Sequence, residues 1–195
     1  ELVKIGEPAA NYLEEIHRVI PKIEKETGVK IRFLAGIRRI PLTILKDVKT
    51  SNFYLRENLD TIKAVAKSPY VVGSDFIGEE INDITDLKPV IQELVEYVVN
   101  EDENFTIRIH AGENDSLREN VSKSIETVIE ATPKDKNIPR VRIGHGLYTP
   151  DLNSKEGEKL IENLKKSKAV LEFQLTSNVR LNNLTELEKH PLKQY

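Results

Sequence analysis

The constraint that most limits this chain is its rhythm. Apolar stretches fit for strands alternate, from end to end, with longer stretches whose apolar positions recur at helical spacing. Leu13, Ile16, Val19, Ile20 and Ile23 predict a helix over about 8–26, which Pro21 would kink or segment and Thr27-Gly28 would end. Val29 to Ile37 reads as a strand. Leu55, Leu59, Ile62, Val65 and Ala66 mark a helix over about 53–67, and Tyr70 to Gly78 reads as the next strand. The pattern then repeats: helix about 86–100, strand Phe105 to His110, helix about 116–131, strand Val141 to Gly144, helix about 155–166, strand Ala169 to Leu175. Strands that alternate with helices make βαβ units and a parallel sheet.

Five such strands fit an open doubly wound sheet or part of a (β/α)₈ barrel. No G-x-G-x-x-G turn follows any strand, which removes the best sign of a nucleotide-binding open sheet. Polar and glycine residues instead end several different strands, as in a barrel, where strand ends carry the chemistry. The expected fold is therefore α/β, with parallel βα units forming a partial TIM (β/α)₈ barrel. A complete barrel usually needs about 250 residues, and this chain has 195, so five strands would leave it open. No linker divides the chain, and residues 1–195 read as one partial-barrel domain.

Composition excludes more than it selects. A net charge of -3 gives no basic footprint for nucleic acid. No apolar run approaches the ~20 residues that span a bilayer, and no signal-peptide pattern opens the sequence. There are no cysteines, hence no disulfide and no thiolate metal site. The expectation is a cytoplasmic protein. Methionine is absent even at position 1, which we read as a processed chain or a piece of a longer one.

The strand ends carry the candidate chemistry. His110-Ala111-Gly112-Glu113 places an imidazole and a carboxylate directly after the apolar run Phe105 to Ile109. Neutral imidazole is the commonest metal ligand, and strand-end histidines suit zinc. A carboxyl in a pocket closed to water holds its proton more firmly and can donate it, the role open to Glu113. The plainer reading makes His110 a hydrogen-bonded core histidine and Glu113 an acid favoured at a helix start. His145, between Gly144 and Gly146, is either a rigidly held base that orients water or an incidental residue of a turn. In Gly73 to Glu79, Gly78 would expose backbone N–H groups to a ligand and Asp75 would support a neighbouring side chain, or the segment is a loop with a helix-start acid. Glu172, inside an apolar strand, needs a partner if buried, which points to a supporting role near a histidine; an edge position facing solvent is the alternative. Ser177-Asn178 reads as a cap or turn, His17 as an exposed helix residue, and His190-Pro191 as a helix-ending turn.

Taken together, these segments resemble the adenosine deaminase family of metal-dependent amidohydrolase barrels, from about Val29 onward. His110-Ala111-Gly112-Glu113 is similar to the family's most diagnostic segment, Gly144-His145-Gly146 to a second, Asp75 to Glu79 to its Asp-Leu-x-Gly run, and Thr176-Ser177-Asn178 to a strand end. The resemblance implies a zinc ligand at His110, a proton donor to the purine ring at Glu113, a residue that positions the attacking water at His145, and a backbone contact to a purine nucleoside at Gly78. It implies hydrolytic deamination of adenosine or a related aminopurine; adenine, AMP or a methylated AMP are further options. The chain departs from the pattern in three ways. It has no His-x-His pair before the match and no Asp-Asp pair after it, both of which supply zinc ligands in the family, and Gln174-Leu175 replaces a Cys-Pro or Asn-Pro type dipeptide. With His110 alone, the isolated chain is expected to bind zinc poorly and to be inactive. The competing expectation is a non-catalytic barrel remnant that binds a nucleoside or a protein partner, or associates with itself, through open sheet edges.

Overall fold

The computed structural model describes residues 7–39, 53–180 and 184–195. Their elements run α1 (Glu7–His17), α2 (Ile20–Thr27), β1 (Phe33–Arg38), α3 (Phe53–Val65), β2 (Val71–Ile77), α4 (Lys88–Asn100), β3 (Thr106–Ala111), α5 (Asn120–Ala131), β4 (Val141–His145), α6 (Lys155–Ser167), β5 (Val170–Glu172) and α7 (Leu175–Arg180). A 3-10 turn, Ile84–Leu87, leads into α4, and two more lie at Leu187–Lys189 and Pro191–Lys193.

The five strands form one sheet in the order β1-β2-β3-β4-β5, every neighbouring pair parallel. An open doubly wound sheet reverses its strand order at a switch point; this sheet never does. Sequential order with helices between the strands is that of a partial (β/α) barrel.

The two sheet faces differ sharply, because alternate side chains of a strand point to opposite sides. One face carries Ile37, Phe76, Ile107, Ile109 and Ile143, each 0% exposed. Onto it pack Leu59 and Ile62 of α3, Val90, Ile91, Leu94, Val95 and Val98 of α4, Val121, Ile125 and Val128 of α5, and Leu160 of α6. Each such side chain contributes about 1.5–3 kcal/mol by leaving water. The register sets Asp75, Arg108 and Arg142 side by side on the other face, with His110 beside Gly144 and Gly144 beside Glu172 in the next row. Five polar residues thus occupy the face that the helices leave alone.

Local chemistry corrects several expected boundaries. Pro21 stands in the first turn of α2, where no intrahelical N–H is needed, so the first helix is two, α1 and α2. Gly28, at φ 71°, closes α2. The predicted strand 29–37 begins only at Phe33. Asn114 Oδ1 accepts the Ser116 N–H at 3.0 Å and folds a turn, so α5 starts at Asn120 rather than near 116. The strand expected to reach Leu175 ends at Glu172. The side chain of Leu55 lies outside the described residues.

His17, expected in solvent, is 9% exposed. Its Nδ1 lies 2.9 Å from Ser68 Oγ, and its ring packs against Tyr70 at 4.9 Å. Burial pushes its pKa down. It lines a cavity of about 480 Å³ between α1 and the segment after α3, at the end of β2 opposite the candidate residues. Among the described residues, no helix is long and apolar enough to cross a membrane.

Candidate active site

β3 positions the site. Arg108 and His110 are two residues apart and so share the polar face. Arg108 Nη1 lies 2.5 Å from Asp75 Oδ2, and Nε lies 2.9 Å from Glu172 Oε2. The same Nη1 is 3.1 Å and 3.3 Å from the two ring nitrogens of His110. His110 Nδ1 meets Asp75 Oδ1 at 3.0 Å. Burial alone would push the Asp75 carboxyl up; the hydrogen bond from His110 and the charge of Arg108 outweigh it and hold the group below its usual value. Glu172 also pairs with Arg142. Its partners are therefore two arginines, of which Arg108 links it to His110. Gly144 leaves the space that the guanidinium fills: a Cβ there would lie 2.8 Å from Arg108 Nη2.

The turn after β3 is shaped by Glu80, which the sequence did not single out. Its carboxylate accepts the backbone N–H of Gly112 at 2.8 Å and of Glu113 at 2.6 Å. The Asn120 amide donates to the same carboxylate at 3.0 Å and to the Glu80 carbonyl at 3.1 Å. Gly112 takes φ 76°, open to glycine at little cost. Arg39, 3% exposed and also unremarked in the sequence, donates to the His110 carbonyl.

This turn and the one after β4 are tied together. Gly146 N–H donates to Ala111 O at 2.9 Å, and the Leu147 and Tyr148 N–H groups both reach Gly112 O at 3.0 Å. His145, at φ 81°, is 4% exposed. Its Nε2 lies 3.4 Å from Glu113 Oε1, and its ring centroid lies 5.4 Å from that of His110. Its Nδ1 faces the Asn178 amide at 3.0 Å. Asn178 sits inside α7, 0% exposed, rather than at a cap or turn. His110, Glu113, His145 and Asp75 thus converge at the C-terminal strand ends. Gly78 stands apart from their contacts, exposed, with φ 106°; a Cβ there would lie 3.1 Å from the Arg39 carbonyl.

The family model described as Adenosine deaminase matches residues 3–195. The chain belongs to the adenosine deaminase family. Among curated relatives, the adenosine deaminase of Plasmodium gallinaceum is 34% identical over 122 residues, 63% of this chain and 28% of that protein. That of Clostridium kluyveri is 32% identical over 133 residues, 64% of this chain and 30% of the relative. That of Lactococcus lactis is 30% identical over 125 residues, again 64% and 30%. The chain matches under a third of the length of these relatives. No solved structure gives a significant match.

Zinc, which the family resemblance implied, does not fit the described residues by themselves. Among them no three His, Cys, Asp or Glu side chains are grouped to hold a metal ion. His110 is engaged by Asp75, and the permanent charge of Arg108 lies within 3.3 Å of both its ring nitrogens. A divalent cation at this ring would meet that guanidinium at close range.

Proposed function

We propose that these residues form part of a hydrolase that replaces the exocyclic amine of adenosine, or of a related aminopurine nucleoside, with oxygen from water, releasing ammonia. The observation that carries the reading is the Glu113–His145 pair, 3.4 Å apart at the mouth of the sheet, in a chain whose relatives are named adenosine deaminases. Glu113 protonates the ring nitrogen next to the amine-bearing carbon. That step makes the carbon electrophilic, and the addition of water to it is what breaks the ring's aromaticity. Water adds to the carbon, one of its protons passes to the departing amine and the other returns to the Glu113 carboxylate, and the carbon–nitrogen bond breaks. The keto-purine and ammonia leave. His145 orients the water, and the Gly78 backbone supports the purine ring. Asp75 and Glu172 hold the Arg108–His110 unit in place.

Zinc belongs to the proposal only for a whole protein in which chain beyond the described residues supplies further ligands to join His110.

The test is Glu113→Gln in the longest natural form of the protein, with ammonia release from adenosine as readout. The expected loss is about 10²–10⁴-fold in rate. A variant that keeps its rate would remove the proton donor and with it this mechanism.

A further inference from the structure

A buried chain of polar side chains, His190 and Asn178, runs behind the site to His145. It starts at His190, expected to be no more than a helix-ending turn but 5% exposed in the fold. The His190 Nδ1 accepts the Leu192 backbone N–H at 3.1 Å. Burial favours the neutral ring. A neutral imidazole has one donor and one acceptor nitrogen, so with Nδ1 accepting, the proton sits on Nε2. That nitrogen faces the Asn178 side-chain amide at 3.4 Å.

A side-chain amide has one accepting end and one donating end of nearly equal shape. With Nδ2 turned to His190 and Oδ1 to His145, the amide asks His190 to accept at both nitrogens. A neutral ring cannot do so, and the mismatch sets donor against donor in a fully buried place. An unsatisfied donor in such a place is left without the water that would otherwise solvate it. The reversed amide satisfies every partner. Oδ1 accepts from His190 Nε2, and Nδ2 donates to His145 Nδ1, the 3.0 Å contact. The single proton of a neutral His145 then sits on Nε2, 3.4 Å from Glu113 Oε1.

We propose that Asn178 and His190 are positioning residues that fix His145 in its Nε2–H tautomer, so that the ring offers a donor to Glu113 and to the cavity. Its contact with water in the resting site is then to the oxygen, not to a hydrogen. The inference rests on the reading of Glu113 and His145 as the site pair, and it adds two residues to the machinery behind them.

Long-range ¹H–¹⁵N spectra of the labelled chain read the tautomer directly. The chain has four histidines, each assigned by its own His→Gln variant. The expected spectrum shows a pyrrole-type Nε2 and a pyridine-type Nδ1 at His145. In Asn178→Asp the carboxylate only accepts, and the expected result is a proton moved onto His145 Nδ1. A wild-type His145 protonated at Nδ1 would overturn the proposal, as would a folded Asn178→Asp whose His145 keeps the wild-type pattern. If that variant does not fold, the wild-type spectrum decides alone. A Glu113→Gln enzyme that kept its rate would remove the deaminase reading yet leave the wild-type spectrum as expected, so the two failures are distinguishable.

Discussion

The guanidinium of Arg108 reaches two carboxylates and an imidazole within 3.3 Å, and its side chain is 11% exposed. Removing Arg108 leaves Asp75 with only His110 and Glu172 with only the more exposed Arg142, and breaking such a buried ionic group costs about 3–5 kcal/mol. Arg108→Met is expected to lose stability in that range, read as a lower midpoint in chemical denaturation. Arg142→Met is the control. Its side chain is 46% exposed, and the expected loss is under about 1 kcal/mol. His110, Glu113 and His145 were legible in the sequence because each follows a strand pattern and belongs to a recognisable segment. Arg108 was not, although the alternation rule already put it on the face of His110; a basic residue flanked by isoleucines reads as a solvent position until Asp75 and Glu172 are seen beside it. Glu80 left no local signal at all, since the amides it binds lie 32 and 33 residues away.

At the scale of elements, the βα order and the apolar faces of the helices could be read directly, and the ends could not. Ala169 to Leu175 is a short apolar run, where periodicity does not separate strand from helix. The Asn178 N–H bonds to Gln174 O at 2.9 Å and turns the segment into α7. The join between α2 and β1 depends on Glu24. Its carboxylate accepts the Ile31 N–H at 3.0 Å and pairs with Arg32 at 2.7 Å. The backbone bond first and the arginine second pull its pKa down to about 2, from 4.5. The folded value lies below the unfolded one, so the contribution is complete above pH 4.5 and disappears as pH falls from there toward 2. Thermal melts across that window are expected to show a steeper acid loss for the wild type than for Glu24→Gln.

At the scale of the whole molecule, β1 and β5 end the sheet among the described residues. Val170 on β5 is 54% exposed. Unpaired strand edges template further pairing. The chain expressed alone is expected to self-associate as concentration rises, seen as earlier elution in size-exclusion chromatography, and Val170→Lys is expected to reduce it. A monomer at all concentrations would count against the open-edge reading, including a remnant that binds partners there. Glu80 adds a property of another kind. It arrives from the segment after β2 and seals the Gly112 and Glu113 amides that follow β3. Neither hydrogen can trade with deuterium while that clasp holds, and the clasp opens only when the two segments part. Those two amides therefore act as a built-in clock for the seam between neighbouring strands, and their exchange is expected to run in step with each other and far slower than that of Asp115, exposed two residues beyond.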